Sequence, residues 1–555
     1  MRMAVAVTGN GHAELLQRVH RSESGEPAPD GLRWCRSAPD GRIIRGFPAA
    51  ANDPLHPNQH VLAPPEFKRD CATAPRIHYR VGQDVVEIDC DPERLAASDG
   101  ERPALNAQAL LHFVWRGRAP SGQTLYRDVR ALAMGEALVF SHGHRPLVRR
   151  VDWPLAADTV AADAQALVEE LPRRIDDALG LILSGDGDPA SERIGLFLSG
   201  GVDSGLLAAL AARRKRAVTG YTIAFDDAYG LNEAEYARRV ARKLKIRHRV
   251  VRVGIDDALR LLDAVLDNPH PCAAIATMTH AALREAAVAD GQQLVLSGLG
   301  ADECLGGYHK PLACLAAQIR QLRVRGLTLQ ELYAMPSRDL SRRADVLFFG
   351  IAEFFTLAEM RQQTVGPGRI DDFVHADVEF YRQALAIKPG ALPTELMAAH
   401  EYAFRVSDLL LPAFHLTRED SSCDVAFPFL EPGLYRWASS IEPGMHYWYD
   451  KDAWWAKHLL RTVAGRFLPQ SIVMRKRQVL LAPFAHWLLD RRFRDRVIEE
   501  IGDSPFWRLA VLKPATRERF LQQLRRYRRP VTDERWPEQL WVLLAACAWV
   551  NRRAI

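Results

Sequence analysis

A short run, LFLSGGVDSG at 196–205, constrains the fold of this 555-residue chain more than any other stretch. Apolar residues lead into it and the helix-forming run LLAALAARRKR follows it, which predicts a strand, a tight turn and a helix. Gly200 and Gly201 leave the backbone open to a ligand, and the first N–H groups of the helix attract anions. Ser199 and Ser204 add hydroxyl donors. The run therefore predicts a phosphate site.

Two acidic residues accompany this turn and a second one like it. Phosphate would repel Asp203 unless a cation such as Mg²⁺ lay between the two. The second turn, LVLSGLGADECLGGY at 294–308, carries Asp302 and Glu303. Because the carboxyl ends of parallel strands share one edge of a sheet, we expect the two turns to meet. The sequence therefore predicts a magnesium site formed by Asp203 and Asp302.

The pattern of strands and helices divides the chain. Residues 1–150 contain short β-like runs separated by Gly and Pro, which is typical of antiparallel sheets. From about residue 160, strand patterns alternate with helices, which predicts right-handed βαβ units and a parallel sheet. From about residue 311 the pattern is mostly helical. We predict the α/β class, with one domain at 1–153 and a second at 160–555.

Composition excludes several functional classes. The net charge is only +5, which does not favour a nucleic-acid partner. Eight cysteines are scattered without a CxxC pair, so neither a zinc site nor a disulfide framework is predicted. Apolar runs are too short to span a bilayer, so we expect no membrane partner. A cytoplasmic protein is the resulting expectation.

The two turns together resemble the motifs of the asparagine synthetase family of ATP pyrophosphatases, whose second motif reads SGxGxDExxGGY. Other stretches resemble that family as well: NEAEYARRVARKL at 232–244, REDSSCDVAFPFLEP at 418–432 and AKHLLRTVAGRFLP at 456–469. PSGQTLYRDVRALAMGEALVF at 120–140 is compatible with the glutaminase-type sandwich of the family.

The resemblance implies an N-terminal glutaminase-like α+β sandwich followed by an adenylating parallel-sheet synthetase domain with a helical C-terminal part. It implies ATP and Mg²⁺ as cofactors, with Mg²⁺ on Asp203 and Asp302. Pyrophosphate would be bound by Ser199, Gly200, Gly201, Asp203 and Ser204. Main-chain groups near Leu198, Ile223, Ser297 and Gly298 would hold the adenosine. A substrate carboxylate would attack the α-phosphorus, and an amine would then displace AMP from the acyl adenylate.

The chain departs from the family pattern at several positions. It begins Met-Arg-Met and its first cysteine is Cys35, so we expect the N-terminal glutaminase to be inactive. Leu299 stands where asparagine synthetases carry Glu and β-lactam synthetases carry Tyr. Ala426 and Glu431 replace the usual Arg and Asp, which suggests a changed acyl-acceptor site.

A further departure concerns the catalytic cation. Arg477 stands where the family has a catalytic Lys, with Lys476 beside it. Both are candidate catalytic residues, together with Asp203 and Asp302. Arginine stabilises phosphate charge but is a poor proton donor. The sequence leaves open which of Lys476 and Arg477 faces the α-phosphate.

With these departures, the chain most resembles lasso peptide cyclases, which are macrolactam synthetases. Such an enzyme activates an Asp or Glu side chain of a precursor peptide, which the N-terminal amine of the peptide attacks. The precursor would be the partner, and a leader peptidase and a leader-binding protein are further candidates. Helices near Trp454, Trp455 and Trp487 are expected to line a peptide groove. The alternatives are a small-molecule amide or lactam synthetase without glutaminase activity and a non-catalytic nucleotide-binding scaffold.

Overall fold

The structure is a computed structural model, and its description below covers a defined set of residues. These are residues 2–7, 13–16, 66–69, 76–82, 85–97, 102–139, 147–150, 163–183, 193–214, 217–226, 233–268, 270–307, 354–366, 368–414, 423–450, 453–475, 482–530 and 535–553. Cys35 and both candidate cations, Lys476 and Arg477, lie outside them.

The chain divides into two compact units. The first comprises Met1–Leu110 and Ala119–Trp153, and the second comprises Leu111–Arg118 and Pro154–Ile555. The first unit contains eight described strands: β1 (Arg2–Val7), β2 (Ala13–Leu16), β3 (Glu66–Arg69), β4 (His78–Val81), β5 (Val85–Asp89), β6 (Arg130–Ala131), β7 (Glu136–Val139) and β8 (Leu147–Arg150). They form two antiparallel sheets, ordered β2-β1-β5-β4-β6 and β3-β7-β8.

The second unit is built around a five-stranded parallel sheet. Its strands are β9 (Arg193–Phe197), β10 (Ala217–Ala224), β11 (Arg247–Arg252), β12 (Leu294–Leu296) and β13 (Asp424–Ala426), in the spatial order β11-β10-β9-β12-β13. An antiparallel pair, β14 (Tyr447–Asp450) with β15 (Ala453–Ala456), lies outside this sheet. The predicted α/β class with a parallel sheet is confirmed.

Helices supply most of the remaining described structure. The α-helices are Pro92–Ala96, Ala107–Arg116, Ala164–Leu183, Val202–Arg213, Ala234–Leu244, Ile255–Leu266, Ala276–Ala289, Ala301–Leu305, Leu357–Gln363, Gly368–Ile387, Pro393–His400, Pro432–Ser439, His458–Ala464, Gln470–Val473, Phe484–Trp487, Arg491–Gly502, Pro514–Arg525 and Arg535–Asn551. A π-helix spans Glu401–Leu410, and 3₁₀ turns span Leu411–Phe414, Pro428–Leu430, Pro443–Met445 and Pro505–Leu509. Among the described helices, none is long and apolar enough to cross a membrane.

The register of the parallel sheet determines where the two glycine-rich turns begin. Leu196 of β9 lies level with Leu296 of β12, and Leu296 lies level with Ala426 of β13. Both central strands are largely buried, as expected for a parallel sheet covered by helices. The chain therefore leaves β9 and β12 at the same edge and at the same height.

The structure differs from the sequence expectations at three points. Asp424–Ala426, which the sequence identifies only as part of a motif, forms the edge strand β13, and Ser297 N–H donates to Ala426 O over 2.9 Å. The segment with Trp454 and Trp455 is not helical, because it forms β15. Trp487 does not line a groove; it is buried against Phe225 and Phe493.

The C-terminal helix Arg535–Asn551 forms part of the core of the second unit. Trp541 is fully buried, and its indole N–H donates to Cys272 O over 3.1 Å. Cys272 lies shortly before the Ala276–Ala289 helix, which packs on β10. Trp541 therefore supports the segment that leads into this helix.

We expect Trp541→Ala to lower the free energy of unfolding by about 3–5 kcal/mol, because it leaves a cavity and an unpaired buried carbonyl. Trp541→Phe should cost less, since most of the volume remains. Leu181→Ala is the control, because Leu181 is 70% exposed. Denaturant unfolding measures all three, and equal stability of Trp541→Ala and the control would contradict the assignment.

Candidate active site

The turn after β9 is organised by its own hydroxyl groups. Ser199 N–H donates to Ser204 Oγ over 3.2 Å, and Gly201 N–H donates to Ser199 Oγ over 3.2 Å. The two Oγ atoms lie 3.1 Å apart. Gly201 is the N-cap of the Val202–Arg213 helix, and Asp203 lies in its first turn. The turn thus places hydroxyl groups and a helix N-terminus at one point, as an anion site requires.

Gly200 allows the neighbouring helix to approach this turn. Its φ is +71°, and a Cβ atom there would lie 2.7 Å from the Cβ of Tyr236. Tyr236 belongs to the Ala234–Leu244 helix, which packs against Val202–Arg213. A side chain at position 200 would push the two helices apart, so glycine is required here for their packing.

A buried lysine joins the two glycine-rich turns. Lys457 Nζ lies 2.5 Å from Asp203 Oδ2 and 2.6 Å from Asp302 Oδ1. Lys457 is only 4% exposed, whereas both aspartate side chains retain some exposure toward the cleft. The predicted meeting of the two turns is therefore seen, with an ammonium group between the carboxylates.

The backbone around Lys457 is held in an unusual conformation. Its φ is +62°, in the left-handed region that non-glycine residues rarely adopt. Its N–H donates to Gly306 O over 3.1 Å, and Gly307 N–H donates to Asp302 O over 2.7 Å. A Cβ atom at Gly307 would overlap the Asp302 carboxylate and lie 2.6 Å from Lys457 Cε. The absence of a side chain at Gly307 thus leaves the space that the Lys457 side chain occupies.

Arg461 ties the segment that carries Lys457 to the segment that ends at Arg475. Its Nε donates to Ala456 O over 3.0 Å, and its guanidinium also donates to Val473 O and Arg475 O. Arg461 is buried, which lowers the pKa of its guanidinium, while nearby Asp203 opposes that shift. Arg461 is therefore a positioning residue for both segments.

Arg475 closes the other side of the β9 turn. Its guanidinium donates to Glu233 Oε1 over 2.7 Å and to Ser199 O over 3.5 Å, and it lies 3.9 Å from the centre of the Tyr236 ring. Burial raises the pKa of Glu233, and the charge of Arg475 offsets part of that shift. The pair links the helix after β10 to the anion site.

A cleft of about 260 Å³ extends from this charged region to an apolar wall. His280 stacks on Phe414 with ring centres 3.9 Å apart, and Phe197 stacks beside both. Burial lowers the pKa of His280 to about 4, so its ring is neutral near pH 7. Its Nδ1 has no hydrogen-bond partner among the described residues. Leu283, Leu299 and Leu410 complete the apolar lining.

The family model named asparagine synthase matches residues 189–551, a range that includes every described residue lining this cleft. The chain belongs to the asparagine synthase family. It is an ATP-using, amide-forming synthetase of that family, and thus a carbon–nitrogen ligase.

Individual relatives of this asparagine synthase family member are distant. A Mycobacterium tuberculosis protein, provisionally named a glutamine-hydrolysing asparagine synthetase, is 26% identical over 468 residues, which are 80% of this chain and 67% of that protein. Asparagine synthetase 1 of Bacillus subtilis is 22% identical over 350 residues, which are 59% of this chain and 52% of the Bacillus protein. The NMN synthetase structure from Francisella tularensis covers 45% of this chain and 97% of its own, with 16% identity and a TM-score of 0.21.

Most of the residues expected to bind ATP in this family member line one cleft. Those that do are Leu198, Ser199, Gly201, Asp203, Ser204, Ile223, Ser297, Gly298 and Asp302. Gly200 faces the neighbouring helix instead. Leu299, the departure from the family pattern, also lines the cleft. Glu431 caps the Pro432–Ser439 helix by accepting from Leu434 N–H over 2.7 Å, a role that Asp also performs, so this departure says little about the acyl site.

Several lining residues were not among the sequence predictions. Lys457 and Arg461 both occur in the AKHLLRTVAGRFLP stretch, which resembled the family without revealing which side chains reach the site. Glu233 belongs to a second such stretch, and Arg475 directly precedes the two predicted cations. His280 lies in a helix with no motif, so no sequence signal indicated it.

The two aspartates fit a magnesium ion. Asp203 and Asp302 supply hard oxygen ligands that converge on one point, and Asp203 Oδ1 is buried without a hydrogen-bond partner among the described residues. In the described part of the chain, no group of three or more His, Cys, Asp or Glu side chains could hold a metal. A magnesium ion here would therefore need further oxygens from water and from a phosphate ligand.

We expect Gly307→Ala to reduce ATP-dependent pyrophosphate release about tenfold or more, because the new methyl group overlaps Asp302 and displaces Lys457. Gly390→Ala is the control, since a Cβ atom there meets nothing within 4 Å. A coupled pyrophosphate assay measures both variants. Equal rates for Gly307→Ala and wild type would show that the close approach is not needed.

His280 should make stability depend on pH. Its pKa falls from 6.5 to about 4 on folding, so the unfolded chain binds more protons between these values. The contribution of the neutral His280 ring to the free energy of unfolding is complete above pH 6.5 and is lost as the pH falls toward 4. We expect a loss of about 2 kcal/mol in the free energy of unfolding over that range, and a smaller one in His280→Phe. Denaturant unfolding at several pH values tests this, and identical profiles would contradict it.

Proposed function

We propose that this family member is a lasso peptide cyclase. ATP would activate a side-chain carboxylate of Asp or Glu in a precursor peptide, which forms an acyl adenylate and pyrophosphate. The N-terminal amine of the peptide would then attack the acyl carbon, which forms a macrolactam and releases AMP. One amide bond forms and one water is lost from the peptide overall, while ATP becomes AMP and pyrophosphate.

The charged half of the cleft supports the activation step. The hydroxyl groups of Ser199 and Ser204 lie together beside the N-terminus of the Val202–Arg213 helix, which Gly201 caps, and this point would bind the pyrophosphate. Asp203 and Asp302 would hold Mg²⁺, which would neutralise the charge that develops on the phosphate oxygens. Main-chain groups at Leu198, Ile223, Ser297 and Gly298 would bind the adenosine.

The observation that carries the choice of substrate is the lining of the cleft that contains Leu299. Each charged side chain that lines the cleft in the described residues is engaged with another group: Lys457 with Asp203 and Asp302, Arg475 with Glu233, and Arg461 with main-chain carbonyls. The rest of the lining is largely apolar. Free aspartate carries an ammonium and a second carboxylate, and both would lose water there without compensation. In a peptide, the α-amino and α-carboxyl groups of the reacting Asp or Glu are part of amide bonds and carry no charge.

The proposal also includes two residues outside the described set, a partner and a cellular compartment. Lys476 and Arg477 are the candidates to stabilise the α-phosphate, and they directly follow Arg475, which lines the cleft. A precursor peptide is the proposed partner, with a leader peptidase and a leader-binding protein as further candidates. We place this reaction in the cytoplasm, where ATP is available.

The test is a two-arm reaction of the purified protein with ATP and Mg²⁺. The first arm holds peptides with a free N-terminal Gly and one Asp or Glu several residues further on, and the second holds aspartate with ammonium. Chromatography measures AMP and mass spectrometry measures the peptide. We expect AMP in the first arm, with an equal amount of peptide that has lost one water.

Matched controls make the result specific. The same peptide with Asn or Gln in place of its acid should give neither AMP nor product, and an N-acetylated peptide should give no ring. Asp203→Asn should abolish AMP formation in every arm. AMP in the second arm alone would replace the proposal by a small-molecule amide synthetase. Silence in both arms with intact ATP binding would favour a nucleotide-binding scaffold.

A further inference from the structure

The ammonium group of Lys457 lies where the two proposed metal ligands converge. It contacts Asp203 Oδ2 at 2.5 Å and Asp302 Oδ1 at 2.6 Å. We propose that Lys457 acts as an internal counter-ion: it holds the two carboxylates together in the nucleotide-free protein and keeps divalent cations out until a triphosphate enters. The inference rests on the proposed function only in assigning Asp203 and Asp302 to the cation.

The ammonium group and a divalent cation cannot share these carboxylates at the observed distances. A magnesium ion binds oxygen at about 2.1 Å, so an ion on Asp203 Oδ2 would lie within about 5 Å of Nζ. The repulsion between a divalent ion and an ammonium group is large at that separation inside a protein. One of the two cations must therefore leave when the other binds.

The structure allows the lysine side chain to move while its backbone stays in place. The main chain is held by hydrogen bonds from Lys457 N–H to Gly306 O over 3.1 Å and from Arg461 N–H to Lys457 O over 2.8 Å. The side chain beyond it has four rotatable carbons and a single point charge. Ser199 and Gly201 line the same cleft, so phosphate oxygens bound there would offer the ammonium group a new partner.

The ligand count explains why nucleotide and metal should arrive together. Two carboxylates alone are a poor site for magnesium, which prefers six oxygen ligands. A triphosphate supplies further oxygens and brings negative charge that draws Lys457 away from the aspartates. Metal binding in the absence of nucleotide is thus opposed twice, by missing ligands and by the lysine. The lysine prevents a bare metal ion from occupying the site before ATP does.

The experiment uses Mn²⁺ as a visible substitute for Mg²⁺. The full chain is titrated with Mn²⁺ without nucleotide, and the free ion is measured by electron paramagnetic resonance. We expect wild type to bind Mn²⁺ at least about tenfold more weakly than Lys457→Met, since the variant lacks the competing charge. Wild type should gain affinity by a similar factor when α,β-methylene-ATP is added. Asp302→Asn in the Lys457→Met background should remove the new site.

Lys388→Met is the matched control, because Lys388 forms a comparable ion pair with Glu395, 2.8 Å away, outside the cleft. It should bind Mn²⁺ as wild type does. Wild type that binds Mn²⁺ equally well with and without the nucleotide analogue would overturn the proposal, and so would equal affinities in wild type and Lys457→Met. A gain with the analogue alone also reflects the phosphate oxygens it brings, so Lys457→Gln, which removes the charge but keeps most of the side chain, is the second variant if Lys457→Met fails to fold.

This titration contains no peptide, so it separates the two proposals. Tighter Mn²⁺ binding by Lys457→Met than by wild type, without macrolactam formation by the wild type, would keep the counter-ion role and overturn the cyclase assignment. Macrolactam formation by a protein that binds Mn²⁺ freely without nucleotide would do the reverse. Addition of diamagnetic Mg²⁺ should displace Mn²⁺ from the Lys457→Met variant, which would identify the site as one for hard divalent cations.

Discussion

The contact of one ammonium group with two carboxylates is the interaction on which the site depends. Lys457 binds Asp203 and Asp302, which come from turns about a hundred residues apart. Each turn begins at the same edge of the parallel sheet, because β9 and β12 lie in register. Two glycine-rich turns end in carboxylates that would repel each other if no cation lay between them. The lysine therefore makes the ligand-free arrangement stable.

Further elements keep this triad in place. Arg461 binds the carbonyls of the segments before and after the Lys457 helix, and Arg475 joins the β9 turn to Glu233. Gly200 and Gly307 allow these segments to approach at distances that any side chain would prevent. The charged half of the cleft is thus satisfied internally, whereas the opposite wall, with His280 and Phe414, is apolar and neutral. A cleft built this way suits a phosphate at one end and an uncharged group at the other.

That division bears on the chemistry that separates members of this family. The charged end holds the residues that the resemblance assigns to ATP, and the chain belongs to the family by its match over residues 189–551. Leu299 supplies no acid, base or hydroxyl group where the resemblance implies Glu or Tyr in other members. Under the proposed function, the acyl substrate would be recognised by shape and apolar contact, which a peptide offers more readily than a small amino acid.

The sequence by itself determined the alternation of strands and helices after residue 160, the parallel sheet, the family, and the two acidic glycine-rich turns. These are local: apolar periodicity predicts each element, and SGGVDS or SGLGADE identifies a turn within a few residues. It did not reveal β13, because no glycine-rich turn marks the end of this three-residue strand, whereas β12, of equal length, leads into the SGLGADE turn. Only the tertiary structure showed that Lys457 reaches both aspartates, that Arg461 supports it and that His280 stacks on Phe414. Such contacts depend on how helices distant in sequence pack on the sheet, and no periodicity within one segment encodes its partner in another.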